Sequence, residues 1–168
     1  MGKCLWEIDM KVNFMGTASM QLKSIIRKSI TESLKTLGQK ATNLEICVNF
    51  MSQEEIKELN NRTRNIDKVT DVLSYPAFSL LPGQLIDIKD EKLYYDGLIH
   101  LGDMALCLER ATEQAQDYGT TLPEEVSKLA VHSTLHLMGY DHIKDCDFVI
   151  MQPKEDEIKT RLKAKKII

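Results

Sequence analysis

Three of the four histidines in this 168-residue chain lie within a stretch of eleven residues, and their spacing constrains the fold more than any other feature of the sequence. In the run H-S-T-L-H-L-M-G-Y-D-H, His132 and His136 are four residues apart, which on a helix places both rings on the same side, one turn apart. Gly139 can adopt a positive φ and end that helix, so that His142 returns toward the other two rings. The run therefore predicts a helix whose end carries three clustered imidazoles.

Three imidazole ligands with a fourth position open to water are typical of a catalytic zinc ion, whereas structural zinc sites usually have four protein ligands. We therefore expect one Zn²⁺ ion bound to His132, His136 and His142. His100 lies between two aliphatic residues of a predicted strand, and we expect it not to be a ligand. Cys146, four residues after His142, is interpreted as a simple thiol.

The same spacing occurs in the metzincin proteases, whose motif is H-E-x-x-H-x-x-G-x-x-H. The glutamate after the first histidine of that motif is the general base of peptide hydrolysis. Ser133 stands at that position here, and a serine hydroxyl does not accept a proton near neutral pH. A zinc peptidase is therefore an alternative that requires a base from elsewhere in the chain.

Length and composition predict one soluble domain that covers residues 1–168. An apolar content of 43% allows one hydrophobic core, and no apolar run approaches the roughly 20 residues that cross a bilayer. The N-terminus has no signal-peptide pattern, and the four cysteines are widely separated, which favours reduced thiols. We expect a cytoplasmic protein without a membrane partner.

The charge is unevenly distributed along the chain. The net charge of −3 argues against nucleic-acid binding, but residues 21–40 contain five basic residues and one acidic residue, and residues 159–168 contain five basic residues and no acidic one. These stretches could hold a polyanion through its phosphates. On charge alone, solvated helix surfaces are the simpler interpretation.

Hydrophobic periodicity and capping signals predict alternating strands and helices. A polar loop is expected over residues 60–68, an excursion outside the core over residues 79–97, and an interruption of the last helix at Pro153. Strands are expected over residues 5–12, 44–50, 69–75 and 98–106, and helices over residues 20–37, from Ser52, over 107–118, from Pro123 toward Gly139, and between 144 and 163.

The histidine run closely resembles the signature of the YbeY family, H-G-x-x-H-L-x-G-Y-D-H, which belongs to metal-dependent endoribonucleases of ribosomal RNA maturation. Residues 59–64 (L-N-N-R-T-R), 70–76 (T-D-V-L-S-Y-P) and 101–103 (L-G-D) resemble further blocks of the same family, in the same order. Two departures are visible: Ser133 replaces the usual glycine, and Pro153 falls in the closing helix.

This resemblance implies an α+β, zincin-like fold, with a mixed sheet of about four strands packed with helices. It implies a zinc-dependent, single-strand-specific endoribonuclease that acts in rRNA processing, at the 3′ end of the small-subunit rRNA, and in ribosome assembly. Arg64 matches the arginine that lies near the metal in the family, where its guanidinium can clamp a phosphate. Ribosomal proteins or an assembly GTPase are candidate partners besides single-stranded RNA and rRNA.

The expected chemistry assigns catalytic roles to Arg64 and to the ligand His132. Zinc lowers the pKa of bound water to about 7, although attack by the 2′-OH of the RNA is equally compatible with the sequence. Asp141, Ser133 and Asp71 are candidates for supporting the ligands, and Asp141 could instead cap a turn. Besides the zinc peptidase, the other alternative is a non-catalytic ribosome assembly factor in which zinc only stabilises the fold.

Overall fold

The computed structural model describes residues 10–141 and 145–168, with side chains at all of these positions except 145–148. Within these ranges, none of the helices is long and apolar enough to cross a membrane. The strands are β1 Lys11–Met15, β2 Leu44–Phe50, β3 Val72–Pro76 and β4 Ile99–Leu106. The helices are α1 Met20–Thr36, α2 Gln53–Arg64, α3 Leu108–Tyr118, α4 Leu122–Leu137 and α5 Asp145–Ala164, with a short 3-10 turn at Glu91–Leu93.

The four strands form one mixed sheet in the order β1-β2-β4-β3. β1, β2 and β4 run parallel, and β3 is antiparallel to β4 at one edge. This arrangement confirms the α+β fold with a mixed sheet of about four strands that the resemblance implied.

One face of the sheet forms most of the core, because alternate residues of β2 point toward the helices. Leu44, Ile46 and Val48 are fully buried in one cluster that includes residues of α1, α4 and α5. Each such side chain stabilises the fold by about 1.5–3 kcal/mol through burial. The α4 residues in this cluster extend from Val126 to Leu137, so most of the helix packs into the core.

Among the described residues, α2 covers part of the opposite face. Ile56 of that helix packs on Leu73, Ala105 and Cys107 in a second, smaller cluster. Apart from Ala105, the side chains of β1, β2 and β4 that point the same way are half-buried or exposed, and many of them are polar.

The start of α2 follows its predicted capping signal, because Ser52 and Glu55 form a complete capping box. α4 has the predicted proline in its first turn, and Thr121 and Glu124 form a second capping box that was not predicted. Gly119 ends α3 in the left-handed conformation, as its position predicts.

Two predicted boundaries were wrong. α2 does not end before a loop at Asn60, because the side chain of Asn60 is buried and donates a 2.9 Å hydrogen bond to the carbonyl of Lys68, which lets the helix continue to Arg64. β1, at Lys11–Met15, continues past the predicted strand end at Val12, and residues 5–9 of the predicted strand lie outside the described ranges.

The predicted interruption at Pro153 was also wrong, because α5 continues through the proline. Proline removes one helical hydrogen bond and disfavours a helix interior by about 3 kcal/mol. Buried side chains on both sides offset this, with Met151 before the proline and Ile158 and Leu162 after it. Tertiary packing thus overrides the local preference.

The segment 79–97 is an irregular excursion, as predicted, but one of its residues belongs to the core. Ile86 is buried in the main cluster. Its backbone is held by Gln39, whose side chain accepts from the Ile86 N–H at 2.8 Å and donates to the Ile86 carbonyl at 3.3 Å.

Candidate metal centre

α4 brings His132 and His136 together with their Nε2 atoms 3.0 Å apart and their ring planes 82° apart. Two nitrogen ligands on a tetrahedral zinc ion, with bonds of about 2.0–2.1 Å, lie about 3.3 Å apart. The two Nε2 atoms therefore face each other at nearly the separation that a shared metal ion requires.

The other nitrogen of each ring is held by an acceptor. His132 Nδ1 lies 2.6 Å from Oε1 of Glu155, and His136 Nδ1 lies 3.0 Å from the carbonyl oxygen of Tyr140. Because a carbonyl or carboxylate oxygen accepts, each Nδ1 donates, and each neutral ring then carries its lone pair on Nε2. Two facing lone pairs fit a cation between them, so the described donor set is suited to a metal ion.

The turn after α4 depends on Gly139. Its φ is +85°, and a Cβ added there would lie 2.3 Å from the carbonyl oxygen of Leu80. Only glycine allows this close approach of the segment 79–97 to the end of the histidine helix. The predicted third ligand, His142, lies outside the described residues and stays a prediction.

The two histidines open into a groove of about 980 Å³ between α4, β3, the end of α2 and the turn after α4. Three further predicted site residues, Arg64, Asp71 and Asp141, line the same groove. Lys128, which was not predicted, lines it as well. His100 is not among the residues that line it.

Arg64 is the last residue of α2 and is exposed at the rim of the groove. Its Nη2 atom donates a long hydrogen bond of 3.4 Å to the carbonyl of Ser74. A guanidinium has five N–H donors in a planar fork, so this contact can orient the group while other donors stay available for a ligand.

Ser133 is fully buried, and its hydroxyl lies 2.7 Å from the hydroxyl of Ser74. It therefore ties α4 to β3 beside His132. Asp71 uses one carboxylate oxygen to accept from the Val72 N–H at 2.8 Å and from the Thr70 hydroxyl at 3.1 Å, which orders the start of β3 at the groove.

Residues 7–163 match the family model described as Endoribonuclease YbeY. The chain belongs to the endoribonuclease YbeY family. The family suggested by the sequence motifs is thereby confirmed.

Curated members of the YbeY family match over most of their length. A protein named Endoribonuclease YbeY from Clostridium acetobutylicum is 43% identical over 159 residues, which cover 90% of this chain and 93% of that protein. A protein of the same name from Caldicellulosiruptor bescii is 38% identical and covers 82% of this chain and 84% of its own. The solution structure of TM1509 from Thermotoga maritima has a TM-score of 0.54 at 24% identity, covers 93% of this chain and 94% of its own, and supports the fold.

Glu155, which holds His132 Nδ1 in this YbeY-family chain, was not among the predicted site residues. It lies 23 residues from His132 on another helix, so no helical or strand spacing links the two. The Tyr140 carbonyl was missed for a different reason, because a backbone acceptor leaves no side-chain signal. Ser74 lies in a block that resembles the family, but its contact with Ser133 depends on tertiary packing.

Proposed function

We propose that this chain, acting as one domain over residues 1–168, is a zinc-dependent endoribonuclease that cleaves single-stranded RNA in rRNA processing and ribosome assembly. Endoribonuclease activity follows from membership of the family. The observation that supports the metal-dependent form most directly is the facing pair of Nε2 atoms, 3.0 Å apart, at the wall of the groove.

His132, His136 and His142 are the proposed ligands of a single Zn²⁺ ion. When bound, zinc supplies a Lewis acid and lowers the pKa of a coordinated water. Glu155 and the Tyr140 carbonyl keep both described rings in the tautomer that binds metal through Nε2. His132 thereby couples the site to α5, and His136 couples it to the turn at Gly139.

Arg64 is the proposed phosphate clamp and catalytic residue. Its position at the groove rim, with one donor on the Ser74 carbonyl, supports this role. A planar guanidinium can bind two phosphate oxygens at once and stabilise the charge that develops on phosphorus. Lys128 lies in the same groove and adds positive charge, although it also pairs with Glu125 at 3.3 Å.

Asp141 and Asp71 are the carboxylates proposed to support the site. Asp141 lines the groove next to the proposed third ligand, and one oxygen of Asp71 orders β3. Ser133 has a supporting role through the position of α4, because its hydroxyl is buried against Ser74. That buried contact also disfavours Ser133 as a proton acceptor in peptide hydrolysis.

Ribosomal RNA, in particular the 3′ end of the small-subunit rRNA, is the proposed substrate. Ribosomal proteins or an assembly GTPase are proposed as partners that direct the enzyme to one bond. The proposed location is the cytoplasm, as the site of bacterial-type rRNA maturation.

The test combines metal analysis of the purified protein with cleavage of a labelled single-stranded RNA. We expect about one zinc per chain, cleavage that a chelator abolishes and added zinc restores, and no cleavage of an unstructured protein. Arg64→Ala should lose activity with zinc retained, and Arg64→Lys, which keeps the charge but not the planar fork, should recover only part of it. Folded His132→Ala protein with full RNA cleavage would reject the proposal.

A further inference from the structure

A second group of potential metal ligands lies on β2 and β4, on the face of the sheet against which α2 packs. The pairing of β2 with β4 is irregular, because Glu45 pairs with His100 and the next residue, Ile46, pairs with Gly102. One extra residue on β4 is a β-bulge, and it shifts the alternation of side chains by one. His100 and Asp103, which are three apart, therefore lie on the same face of the sheet.

Glu45 and Cys47 are two residues apart on β2 and share that face. One carboxylate oxygen of Glu45, the sulfur of Cys47 and one ring nitrogen of His100 all lie within 4.8 Å of one another. All three residues are half-buried, so an ion from solvent can reach them.

His100 is oriented from behind by Asp103. Its Nε2 lies 3.1 Å from Oδ2 of Asp103, so Nε2 donates in the neutral ring and Nδ1 carries the lone pair. Nδ1 faces Oε2 of Glu45 at 3.6 Å, which is too long for a hydrogen bond. A carboxylate behind a histidine whose other nitrogen faces further donors is a common arrangement at metal sites.

Glu45 is oriented in the same way through its other oxygen. Oε1 accepts from the side-chain amide of Asn13 at 2.6 Å and lies 3.3 Å from Nζ of Lys11. Oε2, the oxygen that faces His100, is thus turned toward the cluster. The amide of Asn13 also contacts the sulfur of Cys47 at 3.9 Å.

Burial raises the pKa of the Cys47 thiol and the nearby charges of Asp103 and Glu45 raise it further, whereas the hydrogen bond from Asn13 and the charge of Lys11 offset only part of this rise. A bound metal ion would take the place of the thiol proton. A mixture of thiolate, imidazole and carboxylate suits zinc and related transition metals, whereas calcium and magnesium prefer oxygen ligands alone.

We propose that Glu45, Cys47 and His100 form a second binding site for a zinc-class transition metal ion, with a fourth position open to solvent. This site is distinct from the groove. Tyr75 pairs with Asp103 and Ser74 pairs with Met104, and paired residues point the same way. Since Ser74 contacts α4, the second site lies on the face of the sheet opposite to His132 and His136.

The test uses Co²⁺ as the probe, titrated into the full chain with His132→Ala and His136→Ala in the background. A cobalt–thiolate bond gives an intense near-ultraviolet charge-transfer band, which imidazole ligands alone do not give. We expect this band to appear with one Co²⁺ per chain, and Zn²⁺ to bleach it. Cys47→Ser should abolish the band, whereas Cys146→Ser and Cys107→Ala should keep it.

Two substitutions next to the proposed ligands sharpen the test without removing a ligand. Asp103→Asn should weaken Co²⁺ binding about 10- to 100-fold, because it removes the carboxylate behind His100. Lys11→Met should strengthen binding, because it removes a cation beside Glu45. Absence of the band, or a band that survives Cys47→Ser in folded protein, would overturn the proposal and leave His100 as a bridge between two carboxylates.

Discussion

Two groups of potential metal ligands come together in different ways. One is the pair of histidines on α4, and the other is the group of Glu45, Cys47 and His100 on the sheet. His132 and His136 are one helical turn apart, so any chain that forms this helix brings their rings together. Glu45 and His100 are brought together only by the register of two strands and by one β-bulge. Proximity set by a helix can be read from spacing, whereas proximity set by strand register depends on the whole sheet.

The largest expected effect is on RNA cleavage, which should depend on the histidines of α4 and not on the group around His100. We expect His136→Ala to lower RNA cleavage by about 100-fold or more, because it removes a proposed zinc ligand that faces His132 at 3.0 Å. His100→Ala, on the other face of the sheet, should leave cleavage nearly unchanged. The measurement is the initial cleavage rate of both variants at matched zinc occupancy, with circular dichroism to verify the fold.

The next prediction concerns the turn that follows the histidine helix. Gly139→Ala should lower the free energy of unfolding by about 2–4 kcal/mol, because the new Cβ would meet the Leu80 carbonyl and φ is positive. Gly38→Ala is the matched control, since Gly38 has φ +79° and no atom within 4 Å of an added Cβ, so strain of about 1–2 kcal/mol is expected. Equal losses in urea denaturation would show that the contact with Leu80 is unimportant.

Replacing Glu155 tests whether zinc binding by the histidines of α4 depends on tertiary contacts as well as on helical spacing. Glu155→Gln should weaken zinc binding about tenfold, because the charged partner of His132 Nδ1 is lost. Asp156→Asn removes a charge from the neighbouring, exposed residue and serves as the control. Competition with a zinc chelator measures both affinities, and an unchanged affinity in Glu155→Gln would mean that helical spacing alone positions the ring.

The smallest effect concerns the start of α4. Thr121→Ala should destabilise the protein by about 1 kcal/mol, because the hydroxyl that accepts from the Glu124 N–H is lost. Zinc affinity should stay the same, since the histidines lie at the other end of the helix. If Thr121→Ala changed zinc affinity as much as Glu155→Gln, the cap at the start of α4 would not be independent of the metal site.

The same cap predicts a pH dependence. The backbone N–H and the hydroxyl of Thr121 lower the pKa of Glu124. The ionised Glu124 carboxylate therefore stabilises the folded chain fully above its unfolded-state pKa of about 4.3. This stabilisation is lost as the pH falls through the lower pKa of the folded state. Denaturation curves of the parent chain and of Glu124→Gln should converge at low pH.

Much of the helix and strand pattern could be predicted because it is local. The cap at Ser52, the proline in the first turn of α4 and the left-handed end at Gly119 were all predicted from the sequence. The errors occurred where distant contacts overrode local preferences, as with the buried side chain of Asn60 and the helix that continues through Pro153.

The helical pair of histidines, the glycine after them and the family to which they point could be predicted from the sequence, because these depend on residue identity and spacing along one element. The acceptors that hold the rings, the place of Arg64 in the same groove, and the meeting of Glu45, Cys47 and His100 on the other face follow only from the tertiary structure. Those contacts join residues far apart in the chain, and their formation depends on how buried side chains pack and how strands align.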